Sequence, residues 1–106
     1  MEAINTMEEY KTIINQEKPI MLDFYADWCP PCKILTPTVE KLSAEYEGTV
    51  EIKKVNVDQN KELSQAFGVR SIPTLFFIKD GKVKDSLTGA VPENQIKERL
   101  ETLILN

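Results

Sequence analysis

The chain has 106 residues, 42% hydrophobic and 28% charged, and 17 acids against 13 bases give a net charge of −4. That length is one domain spanning residues 1–106; on the order of 65% of its unfolded surface can be buried, so the core needs no structural disulfide or metal. The acidic balance offers no basic patch for nucleic acid, and no run approaches the roughly 20 apolar residues that cross a membrane, so neither partner is expected.

Met1-Glu2-Ala3-Ile4-Asn5 lacks the basic and apolar regions of a secretory signal, which makes the cytoplasm the expected compartment. Thr6-Met7-Glu8-Glu9 fits a capping box and opens a helix to about Gln16, with Tyr10, Ile13 and Ile14 as its apolar stripe. Ile20 to Ala26 reads as a strand, and its near-continuous apolar character predicts burial on both faces. A long helix follows from Pro30-Pro31 to about Glu47, with Leu35, Val39 and Leu42 inward and Gly48 as its stop. Pro37 lies inside that helix and is expected to kink it.

Val50 to Val57 alternates as a second strand, with Val50, Ile52, Val55 and Val57 as the apolar members. A short helix starts near Asn60 and ends at Gly68. Thr74 to Lys79 is a third strand. Asp80-Gly81 is a tight hairpin turn, so Lys82 to Leu87 returns antiparallel. Pro92 suits the first position of a last helix, with Ile96, Leu100, Leu103 and Ile104 buried. This order predicts an α/β fold with a central mixed sheet and helices on both faces. Sites in such sheets form at strand-to-helix loops. Phe24, Phe76 and Phe77 are expected in the core.

The only two cysteines, Cys29 and Cys32, stand on such a loop. Residues i and i+3 share a helix face, roughly 5–6 Å apart at Cβ, which modest adjustment brings into disulfide range. A cysteine capping a helix meets free backbone N–H groups and the positive end of the dipole, and both favour thiolate. Thiolate is the attacking species in disulfide exchange. The alternatives are inert buried thiols or a metal site. Zinc needs four ligands, and with no histidine in the chain one pair cannot close a site without a dimer or carboxylates; no metal is expected. The absence of histidine also leaves acid–base work to a carboxylate, a lysine or water.

The segments Asp23-Phe24-Tyr25-Ala26-Asp27-Trp28-Cys29 through Cys32-Lys33, Pro37, Lys54-Val55-Asn56-Val57-Asp58, Val69-Arg70-Ser71-Ile72-Pro73-Thr74 and Thr88-Gly89-Ala90 together resemble the thioredoxin family over nearly the whole chain. The resemblance implies the thioredoxin fold, with an extra strand near Glu2 to Ile4. It implies a monomer that reduces protein disulfides, with a flavin-containing thioredoxin reductase as electron donor and no cofactor beyond the two thiols. Cys29 would be the nucleophile and Cys32 the resolving thiol. Asp23 would take the Cys32 proton through water, and Lys54 would pair with Asp23. Trp28, Pro30, Pro31, Ile72, a cis Pro73, Gly89 and Ala90 would form the rim that meets substrate.

Each role has a plainer rival in the residues themselves. Asp23 could turn to solvent at a strand end. Lys54 could be a solvated lysine, since Lys53 adjoins it and alternation turns only one inward. An X–Pro bond is usually trans, Trp28 could be core, Gly89 a turn glycine and Asp58 a loop residue. Most family members carry Gly where this chain has Pro30, which leaves redox poise open. An oxidase or isomerase on the same fold, or a binding subunit without turnover, are the rival functions.

Overall fold

The computed structural model describes residues 1–106. The elements run β1 (Glu2–Ala3), α1 (Met7–Ile14), β2 (Ile20–Tyr25), α2 (Pro30–Glu45), β3 (Glu51–Asn56), α3 (Lys61–Ala66), β4 (Thr74–Lys79), β5 (Lys82–Thr88) and α4 (Glu93–Leu105). They form one five-stranded sheet in the order β1-β3-β2-β4-β5. β3 is parallel to β1 and to β2, whereas β4 is antiparallel to β2 and to β5. The expected mixed sheet is therefore present, and β2 lies at its centre.

Alternation along β2 sorts the core into two layers. Met21 joins Ile52, Leu75 and Phe77 beneath α2 (Leu35, Val39, Leu42) and α4 (Ile96, Leu100, Leu103). Ile20, Leu22 and Phe24 face the other way, against Ile4, Val55, Ile78 and Leu63 of α3, with Tyr10, Ile13 and Ile14 of α1 packed on them. Helices cover both faces. At the sheet's β1 edge, Lys53 bridges Glu2 at 2.9 Å and Glu51 at 3.2 Å.

Several details depart from expectation. Val50 and Val57 flank β3 instead of belonging to it, and Phe76 is only half-buried. Pro92 caps α4 from outside in an extended conformation (ψ 151°) instead of opening it. Pro37 does lie inside α2, as expected. That ring faces solvent, so the carbonyl it deprives of a helical donor is accessible to water. Thr6 does cap α1, its Oγ1 accepting from Glu9 N at 3.1 Å.

The hairpin turns as expected on Asp80 and Gly81, both at positive φ (55° and 74°), the signature of a twist-matched two-residue turn. Its register then shifts. Ile78 pairs with Val83 but Phe77 pairs with Asp85, so Lys84 is bulged out. The bulge moves Asp85 to the α4 face, where Arg99 donates to both carboxylate oxygens at 2.7 Å. It also sets Leu87 opposite Leu75, on the core side that an unbulged ladder would have denied it.

Two neighbours on α2 separate stability from surface function. Leu35 is 2% exposed and Ile34 is 70% exposed. Leu35→Ala should destabilise the protein by about 2–5 kcal/mol, and Ile34→Ala should stay within about 0.5 kcal/mol, both read by urea unfolding. Equal losses would mean that α2 buries a different face.

Candidate active site

β2 ends at Tyr25 and α2 begins at Pro30, which leaves Cys29 as the N-cap. Its backbone is extended (φ −98°, ψ 106°). Its Sγ accepts a hydrogen bond from Cys32 N at 3.2 Å, as a Ser or Asp side chain does at an ordinary helix start. Cys29 and Cys32 are joined as a disulfide, with Cα atoms 5.2 Å apart. Both are nearly buried, at 3% and 4% exposed. The first two helical positions are Pro30 and Pro31, which have no N–H. The Cys32 amide is therefore the first donor the helix offers.

Because β4 runs antiparallel to β2, its start lies beside the end of β2, and Thr74 pairs with Phe24. The residues just before Thr74 thus meet the cysteines. The Ile72–Pro73 bond is cis, as the family resemblance implied and as the residues alone did not. The Ile72 carbonyl lies 3.8 Å from Cys29 Sγ, and the Ile72 side chain packs on Ala26, Cys29 and Cys32. Gly89 N donates to Pro73 O at 2.8 Å from a backbone at φ 93°. That conformation, which side chains other than glycine's rarely adopt, ties the β5 end to the proline turn, so Gly89 is more than a turn residue. Ala90 is exposed next to it.

Trp28 is no core residue; it is 66% exposed. Its indole Nε1 donates to Asp58 Oδ2 at 2.8 Å. Asp58 N in turn donates to Asn56 Oδ1 at 2.9 Å. Asp58 is therefore the strut of the rim tryptophan. The signal for it was positional: parallel neighbours β2 and β3 end together, so residues just past either end meet. Ile34 was also missed. It lies three and four residues beyond Pro31 and Pro30, and helical periodicity puts all three on one face. With exposed Trp28 and half-buried Ile72 they make an apolar collar about the disulfide.

Asp23 does not turn to solvent. It is 5% exposed, on the same sheet face as Met21, and its Oδ1 has no hydrogen-bond partner. Burial pushes its carboxyl up to about 7, against the opposing field of Lys54. Lys54 is Asp23's register partner on β3, but the expected ion pair is not closed. Its Nζ stands over the Tyr25 ring, 5.6 Å from the centroid. Of the two lysines, Lys53 is the buried one, on the opposite face.

A buried carboxyl poised near neutrality, two cysteines at a helix start and a flat apolar rim suit dithiol–disulfide exchange on a macromolecule. The known proteins agree. The Thioredoxin family profile matches residues 2–102. A thioredoxin of Chlorobaculum thiosulfatiphilum is 44% identical over 89 residues, 84% of this chain and 82% of the relative. A thioredoxin of Haemophilus influenzae is 45% identical over 93 residues, 88% of this chain and 87% of the relative. Among solved structures, Fasciola hepatica thioredoxin matches with a TM-score of 0.90 at 38% identity, covering 96% of this chain and 98% of its own. That of Malassezia sympodialis matches at 0.91 and 30% identity, covering 98% and 90%. Similarity of this extent, joined to a redox-active cysteine pair at the head of α2, makes the chain a member of the thioredoxin family and a thiol–disulfide oxidoreductase.

Proposed function

We propose that the protein works as a reductant of protein disulfides, with Cys29 as nucleophile and Cys32 as resolving thiol. The Cys29 thiolate attacks one sulfur of the substrate disulfide. The other substrate sulfur leaves as a thiolate and takes a proton from solvent, and a Cys29–substrate mixed disulfide remains. Cys32 then gives its proton to the Asp23 carboxylate through water and attacks Cys29 Sγ. The second substrate thiolate departs, the Cys29–Cys32 disulfide closes, and two electrons have passed to substrate. A flavin-containing thioredoxin reductase returns two electrons to the pair. No bound cofactor takes part; the two thiols are the redox centre.

One observation carries the choice of reductant over oxidase. A strong oxidant owes its potential to a heavily stabilised thiolate. Here Pro30 and Pro31 leave the Cys32 amide as the one backbone donor to Cys29 Sγ. The rim supports protein substrates: Trp28, Ile34 and Ile72 give apolar contact, and the cis turn leaves the Ile72 backbone free to pair with an extended strand. The site lies within one chain, which supports a monomer. A dithiol reductant stays reduced only where the surroundings are reducing, which favours the cytoplasm.

Equilibration against a glutathione series, with alkylation and mass analysis, tests the direction of transfer. The Cys29–Cys32 pair should be much harder to reduce than glutathione disulfide; a pair near the glutathione potential would make the protein an oxidase or isomerase. Cys29→Ser should abolish turnover, and Cys32→Ser should trap a substrate adduct visible by mass. Retention of function in Cys29→Ser would point to a binding subunit.

Asp23 supplies a pH test with two signs. As a proton acceptor it works when ionised, so the rate at which Cys32 resolves the mixed disulfide should climb as pH passes through about 7. Asp23→Asn should flatten that rise; an unchanged single-turnover profile would remove Asp23 from the mechanism. Stability runs the other way. The folded-state value lies above the unfolded one, so the folded chain holds the extra proton between them, and stability falls as pH rises from about 4 to about 7. Above that, ionised Asp23 costs about 4 kcal/mol. Oxidised Asp23→Asn should therefore be more stable than the parent protein at pH 8 and close to it at pH 4, measured by urea unfolding.

A further inference from the structure

Asp23 and Lys54 are partners across the β2–β3 ladder, so their side chains leave the same face of the sheet. An ammonium beside a buried carboxyl ordinarily closes on it. Lys54 makes no salt bridge, unlike Lys53 next to it. Its Nζ is instead 5.6 Å from the Tyr25 ring centroid, within cation–π range. Tyr25 lies two residues beyond Asp23 on β2 and so shares its face. The Tyr25 ring is half-buried and packs on the Ala26, Cys29 and Cys32 cluster, which fixes it as a platform.

We propose that Tyr25 is a positioning residue whose ring keeps the Lys54 ammonium at the edge of the Asp23 pocket, where its charge acts on the carboxyl. A lysine lost to solvent would leave the carboxyl protonated and unable to accept. The proposal deepens the reading of Asp23 as the acceptor of the Cys32 proton. The other elements packed against Asp23 bring no charge in the oxidised protein: β4 presents Leu75, and α2 covers this face with Leu35, Val39 and disulfide-bonded Cys32. Lys54 is the one charge that reaches Asp23.

The test follows the Asp23 carboxyl carbon by NMR across pH in the oxidised protein, where the cysteines do not titrate. Tyr25→Leu is compared in the parent and in Lys54→Gln, so that any change in hydration is common to both. The ring's effect through Lys54 should appear as a proton affinity about two- to fivefold higher for Tyr25→Leu in the parent than its Lys54→Gln counterpart accounts for. Tyr25→Phe, which keeps the ring, should leave the titration where it is. An equal shift in both backgrounds, no shift, or a relative fall would overturn the proposal. Should Tyr25→Leu fail to fold, the Lys54 methylene protons of the unaltered protein decide. Upfield ring-current shifts are expected, and random-coil positions overturn the proposal. The titration is read directly, so a failure of Cys32 resolution to follow it would remove Asp23 as acceptor without touching this result.

Discussion

β2 is hydrogen-bonded along both edges, parallel to β3 and antiparallel to β4, and the rest of the site follows from that double pairing. A central strand has no free edge to slide along, so its register is set from two sides. Parallel pairing with β3 puts Lys54 beside Asp23 and brings Asp58 level with Trp28. Antiparallel pairing with β4 sets Thr74 beside Phe24 and so delivers the cis Pro73 turn to Cys29. Three segments far apart in sequence meet at one sheet end because one strand orders them.

The same strand carries a buried, partly unpartnered carboxyl, that of Asp23, which interrupts its apolar run. A hydrophobic residue would pack there more favourably. The penalty is what raises the carboxyl to about 7, and a carboxyl at an ordinary value would be too weak a base for a thiol. The proton affinity that we propose serves Cys32 and the cost of ionising Asp23 in the fold are thus one property seen twice. Lys54 moderates it, and the aromatic ring beneath its ammonium keeps that charge within reach.

Local pattern and long-range register divide what could be read from the chain. The strands, the helices and the Cys-x-x-Cys loop were legible because each is written in a short window: alternation in β2 and β3, a capping box at Thr6, Asp80-Gly81 at the hairpin. Features that depend on pairing partners were not. β1 is two residues long and has no periodicity to show. The bulge at Lys84 is fixed by Leu87 seeking Leu75 and Asp85 seeking Arg99, neither visible within β5. Which of Lys53 and Lys54 faces the site depends on the β2–β3 register. Trp28–Asp58 spans 30 positions and was not anticipated. The cis bond at Pro73 came from the family resemblance, since the residues alone favour trans. Ile34 was legible and overlooked; its periodicity with Pro30 and Pro31 is local.

The site is a surface rather than a pocket. A cavity of 360 Å³ lies at the other end of α2, lined by Glu40, Glu47 and Glu51 among others. What surrounds Cys29 is a collar of exposed Trp28, Pro30, Pro31 and Ile34, which suits another chain better than a small molecule. Two adjacent prolines also hold the helix start with φ fixed at both positions. The disulfide sulfur of Cys29 accepts from the Cys32 amide on that fixed backbone, so the donor that meets the reacting sulfur is set by the helix start itself.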